Sequence, residues 1–247
     1  MVHSTGMMTT KLSPPTLFTP SELKSNPILS KSITQLVNNA FYRSYERDTV
    51  KWDNSESRFS DEEGLHVLLS GEGSVIALIF DDAASANGNG SIDGDNDRIN
   101  GEDTNINGEQ SRKVVACASL VPWKGGWEKE CASTETGWEI KIVCVDGDSK
   151  YHRRGLAVQL LNFLEQYLIV RETIQLEKKG LQGQRVLSLW ILAAECLNGA
   201  YWRKGGYEVV RKKTWGPGTW SCKTSFEMVV LRRDVTFGFG GGSVVGK

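Results

Sequence analysis

A charge bias is missing from this chain: its 247 residues hold 29 Lys and Arg against 30 Asp and Glu, a net charge of −1. Nothing in that balance draws the whole molecule to nucleic acid or to an anionic membrane surface. Long apolar runs are missing too. Met1 to Pro20 has no hydrophobic leader core, and no later stretch approaches the ~20 apolar residues that a spanning helix needs. Secretion and membrane insertion are not expected, and a cytoplasmic setting, with the nucleus also open, follows. Five cysteines, Cys117, Cys131, Cys144, Cys196 and Cys222, stand far apart with no Cys-x-x-Cys pair, so neither a zinc site nor a disulfide framework is indicated. Of the 3 histidines, neither of the other two is near His152 in sequence, which leaves metal binding and a histidine-based triad without support. No metal is expected.

With 39% hydrophobic residues, the chain can bury one good core, and a single domain over residues 16–234 is expected. Ser, Thr and Pro make residues 1–15 a flexible tail, and glycines make 235–247 another. Two apolar runs, Val75 to Phe80 and Val114 to Leu120, have strand composition and should pair antiparallel. Residues 81–112 between them are mostly Asn, Gly, Asp and Ser. Such a segment cannot bury enough surface to offset the entropy of ordering, and it reads as a disordered insert. Within it, Asp93-Gly94-Asp95-Asn96-Asp97 imitates the start of a calcium loop, but Arg98 and Thr104 stand where Gly and Glu are required.

Ile33, Leu36, Val37, Ala40 and Phe41 share one helical face, and Ser60-Asp61-Glu62-Glu63 reads as a capping box before a short helix. Further strands are expected over Trp138 to Val145, Val186 to Leu192, Tyr207 to Lys212 and Phe226 to Leu231. Further helices are expected from Arg154 to about Val170 and from Glu195 to Lys204. The fold class is therefore α/β, a central mixed sheet flanked by helices.

The most informative stretch is Val143-Cys144-Val145, a loop, and then His152-Arg153-Arg154-Gly155-Leu156-Ala157-Val158. An apolar strand runs into a basic, glycine-containing turn that opens a long helix. The first backbone N–H groups of a helix lack intrahelical partners, and the aligned peptide dipoles favour negative charge there, so a diphosphate can be held. Gly155 allows close approach of the ligand to the backbone.

This turn resembles that of the GNAT acetyltransferase superfamily, Gln/Arg-x-x-Gly-x-Gly/Ala, over His152 to Ala157. Trp202-Arg203-Lys204-Gly205-Gly206-Tyr207 resembles its second block. The resemblance implies a GNAT-like acyltransferase fold in which two parallel strands splay apart and acetyl-CoA, the acyl donor, enters between them. Val143, Cys144 and Val145 would offer backbone to the pantetheine arm, and His152, Arg153, Arg154, Gly155, Leu156, Ala157 and Val158 would form the pyrophosphate cradle. Asn198 and Trp202 would lie against the cofactor. Glu139 matches a strand position that carries the catalytic base in several members and should share a face with Lys141, Val143 and Val145. The usual acid position falls on Trp202, whose indole is no usable acid, and Tyr201 inherits the role only if the helix start is displaced.

The implied reaction is direct transfer of an acetyl group to an amine. Transfer to a hydroxyl, or a non-catalytic acyl-CoA-binding module, is the alternative reading. The acceptor, a small molecule or a protein amine, would sit near Tyr42, Tyr45, Trp123, Trp127 and Trp138, which suggests an apolar or cationic amine.

Overall fold

The computed structural model describes residues 11–82, 112–127, 133–181 and 183–239. Strands β1 (Thr16–Phe18), β2 (Val75–Asp81), β3 (Lys113–Pro122), β4 (Trp138–Val145), β5 (Gly183–Ala194), β6 (Glu208–Trp215) and β7 (Phe226–Phe239) form one seven-stranded sheet in the order β1-β2-β3-β4-β5-β7-β6. Every neighbouring pair is antiparallel except β4 and β5. Helices α1 (Pro20–Lys24), α2 (Pro27–Glu46) and α3 (Glu62–Leu68) cover one face, and α4 (Leu156–Lys178) covers the other. A short α5 (Ala200–Lys204) follows β5.

All seven residues of β2 are buried, as a strand covered on both faces requires. On one side Leu156, Leu160, Leu164 and Leu168, at a spacing of about one turn, pack α4 onto Val115, Ile140 and Leu189. On the other, Ile33, Leu36 and Val37 of α2 meet Ile76, Leu78 and Cys117. The fold class expected from the sequence is the one observed.

The element ends differ from expectation in instructive ways. Asp61 itself caps α3 through the Gly64 N–H, and the reciprocal capping box belongs to Thr19 and Glu22 at the start of α1. Helix α4 runs past Val170 to Lys178 because its last turns, although half exposed, carry good helix formers until Gly180 takes φ +64°. Order begins before Thr16, since the Ser13 N–H donates to the Phe80 carbonyl and its hydroxyl accepts from the Phe80 N–H. It continues past Asp234, where Val235 to Phe239 extend β7 against β5. Residues 235–239 are thus strand and not tail. Most of the insert expected over 81–112 lies outside the described residues. Its ends do not: Asp81 completes β2, and Arg112 pairs with Asp82 at 2.6 Å.

Candidate active site

Parallel strands β4 and β5 meet at only two register pairs, Trp138 with Leu189 and Glu139 with Trp190. Beyond Glu139 they diverge and leave a cleft of about 410 Å³. The divergence coincides with a bulge in β4. Ile142 has φ +45°, a left-handed conformation that is costly for a β-branched residue, and the register with β3 slips by one there. This extra residue corrects the expected alternation. Glu139 and Lys141 face the α2 side together, but Ile142 and Cys144 continue that face, whereas Val143 and Val145 pack on the α4 core. Since the Asp146 N–H bonds to β3 through the Val115 carbonyl, the Val145 carbonyl of the same peptide points away from β3, and alternation places the Val143 peptide groups on that open edge too. The side chain of Arg43 from α2 caps the Val145 carbonyl at 2.6 Å.

Glu139 sits where the strands part and is only 6% exposed. Burial raises its pKa above the ordinary carboxylate value, and the Lys141 ammonium at 3.3 Å, with the charges of Lys124 and Arg58, only partly offsets this. It is a carboxylate placed to hold or take a proton nearer neutrality than an exposed glutamate does.

The basic turn lies where β4 leads into α4. Arg153 has φ +57° and Gly155 φ +70°, so the chain alternates into the left-handed region on its way into the helix. No side chain caps α4, which leaves its first N–H groups, from Leu156 to Val158, available to a ligand. An added Cβ at Gly155 would meet no atom within 4 Å. The glycine is therefore required by its conformation, and the space above it is open. The side chains of His152, Arg153, Arg154 and Val158 are exposed, whereas Leu156 points into the core and can contribute only its backbone. A buried strut supports the turn: the Tyr151 hydroxyl donates to Asp81 at 2.7 Å, and Lys150 approaches the same carboxylate at 3.6 Å.

After β5 the chain makes a single π-turn over Glu195–Gly199 before α5 begins. A π-turn adds one residue to the helical winding and displaces everything after it. Tyr201, 45% exposed, and Trp202, 7% exposed, both line the cleft, their rings in edge-to-face contact, and Trp202 also packs against Tyr207 in the core. Burial also raises the Tyr201 pKa. Asn198 is exposed on the cleft wall. Glu139, Val143, Cys144, Ala157, Asn198, Tyr201 and Trp202 are thus brought around one cavity.

The expected acceptor aromatics fare less well. Only Tyr45 lines the cleft. Tyr42 points to solvent, Trp123 stacks on Trp190, Trp127 packs against Trp215, and Trp138 belongs to the core. The walls are instead Phe41, Tyr45, Leu197 and Trp220, with Arg58 at the rim. Phe41 is legible from its helical face. Arg58 and Trp220 lie in irregular segments with no period to place them, although Gly216-Pro217-Gly218 marks the turn that delivers Trp220.

Among the described residues no helix is long and apolar enough to cross a membrane, and no group of three or more His, Cys, Asp or Glu could hold a metal ion. No family model and no curated protein matches the chain. Among solved structures, it is similar to a GNAT-family acetyltransferase from Streptococcus pneumoniae at 10% identity, with 91% of this chain and 99% of that chain covered and a TM-score of 0.49. An N-acetyltransferase from Staphylococcus aureus Mu50 shares 13% identity, with 91% and 97% covered and a TM-score of 0.46. Arabidopsis thaliana NAA60 in complex with acetyl-CoA shares 10% identity, with 91% and 99% covered and a TM-score of 0.43. By its own strand order, its splayed parallel pair and the turn that opens α4, the chain has the GNAT-like acyltransferase fold.

Proposed function

We propose that the protein is an acyl-CoA-dependent N-acetyltransferase that moves an acetyl group from acetyl-CoA to an amine by direct attack. One observation carries this reading: the gap between β4 and β5 opens directly above a buried carboxylate, and an uncapped helix N-terminus stands on its rim. The residues present fit the donor. The N–H groups of Leu156, Ala157 and Val158 take the pyrophosphate, with Arg153 and Arg154 adding charge and His152 a ring N–H donor. The open edge offers the amide arm hydrogen bonds at the Val143 peptide groups and at the Val145 N–H, whose carbonyl Arg43 occupies, with Cys144 between them, and Asn198 lines the same cleft.

An amine attacks only as its neutral form, and Glu139, with its raised pKa, takes the proton directly or through water. The nitrogen lone pair then bonds to the thioester carbonyl carbon, whose developing oxyanion is met by strand N–H groups. As the C–S bond breaks, the CoA thiolate leaves and is protonated by the Tyr201 hydroxyl or by water. Orientation of the two substrates in one cleft supplies much of the rate.

Calorimetry of the full chain with acetyl-CoA and with CoA tests the donor site. Micromolar affinity, about −8 kcal/mol, weakened in the Arg153→Ala/Arg154→Ala variant, is expected. No binding of either ligand to folded protein would exclude the acyltransferase reading.

A further inference from the structure

The cleft carries a charge arrangement that the transfer chemistry does not use. The one carboxylate that lines it among the described residues, Glu139, is surrounded by cations: Lys141 at 3.3 Å, and Lys124 and Arg58 near enough to act on its charge. Arg58 differs from the other two. Its guanidinium lies over the rings of Phe41 and Phe59, 5.4 and 5.8 Å from their centroids, and has no carboxylate partner among the described residues. It lines the cleft beside Tyr45, on the α2 side, away from the basic turn before α4.

Phe59 holds this arginine in place, because its backbone is clamped at both ends. Its N–H donates to the Asn38 side chain and its carbonyl accepts from it, each at 2.9 Å. Opposite, Trp220 and Ser221 take φ +50° and +60°, a left-handed pair of non-glycine residues fixed by Gly218 bonding to Cys222. Backbone strain of this kind persists only where the surroundings over-determine it, and here it presents Trp220 to the cavity. Phe41, Tyr45 and Trp220 thus line the same cavity as the buried carboxylate and a guanidinium that has no carboxylate partner among the described residues.

We propose that the acceptor is a compact amine that also carries a carboxylate, on an aromatic or large apolar body, as in a free aromatic amino acid. This deepens the acetyltransferase reading and rests on it. Arg58 receives the carboxylate of the acceptor, since a guanidinium binds that group bidentately. The aromatic wall takes the ring. The amine is then directed to Glu139, which removes its proton before nitrogen bonds to the acyl carbon and the thiolate departs. A purely cationic acceptor, such as a polyamine or a lysine-rich peptide, meets, among the described residues, three positive charges around one negative one and is disfavoured.

Acetylation of L-phenylalanine and of L-phenylalaninamide, which keeps ring and amine but replaces the carboxylate by a neutral amide, tests this in the full chain by free-thiol release. Wild-type kcat/KM is expected to favour phenylalanine by about ten-fold or more, the scale of one charge-assisted hydrogen-bonded pair. Arg58→Gln should bring that ratio close to one, chiefly through KM, and Arg58→Lys should restore part of it. Equal wild-type rates, a ratio unchanged in Arg58→Gln, or preference for spermidine would overturn the assignment. Retained acetyl-CoA binding with no turnover of either amine would overturn it too while leaving the donor site standing. Failure to bind acetyl-CoA would remove the acetyltransferase reading itself.

Discussion

Replacing Glu139 by Gln should make the protein more stable and less active at once. In the folded state the carboxyl pKa is raised, chiefly by burial. A folded acid that binds its proton more tightly than the unfolded chain does contributes stability at low pH. That contribution is lost as pH rises from the unfolded toward the folded pKa, so at pH 7 the ionised form carries a cost. Each pKa unit of that rise is worth about 1.4 kcal/mol. Glutamine keeps the shape without the charge and removes the cost. For a chain of this size each kcal/mol corresponds to a Tm gain of about 2–4 °C. The released Lys141 is a third exposed and can turn to water, so its loss of partner subtracts little. Activity should move the other way, with kcat falling by roughly 10²–10⁴ as expected for loss of a general base, and with CoA affinity retained. Thermal unfolding of wild type and variant at pH 5 and pH 7 reads the first effect, and thiol release reads the second. The stability gain should be larger at pH 7. A variant that is less stable at pH 7, or equally active, would refute the reasoning.

Three further outcomes follow from the same contacts. Gly155→Ala should lower stability by about 1–2 kcal/mol, because its Cβ finds open space but φ +70° does not suit it; calorimetry should show weaker CoA binding in the same variant. Tyr151→Phe deprives the buried Asp81, 1% exposed, of a hydroxyl donor and should cost about 1–3 kcal/mol in urea unfolding. Glu135, whose pKa is held low first by Arg211 and also by the Trp123 indole N–H, should stabilise at neutral pH and lose that contribution as pH falls through its depressed folded pKa; the stability gap between wild type and Glu135→Gln should therefore narrow as pH falls below the ordinary glutamate value of about 4.3.

Much of this architecture was legible because it rests on period and local chemistry. The apolar run Val75 to Phe80, the leucines of α4 and the basic turn at Arg153-Arg154-Gly155 each signal their structure within a few residues. What escaped depends on one-residue insertions. A period-2 reading of Trp138 to Val145 cannot reveal that Ile142 takes a left-handed conformation and inverts the faces beyond it. Nor does Glu195 to Lys204 announce that its first residues wind as a π-turn over Glu195–Gly199. The acceptor wall escaped for another reason. Arg58 and Trp220 come together from segments 162 positions apart, in loops whose placement only the tertiary fold decides.

The two register pairs that join β4 to β5 also divide the molecule mechanically. Strands β1 to β4 hold together through longer antiparallel ladders, as do β5, β7 and β6, with twelve register pairs between β5 and β7 alone. The join at Trp138 and Glu139 is a seam. In hydrogen exchange the amides beside it should open well before the β5 and β7 ladder, whose exchange should follow global unfolding. A ligand bridging the seam stitches the two half-sheets, so its binding should be felt as slowed exchange along β4 and as a concentration-dependent rise in Tm.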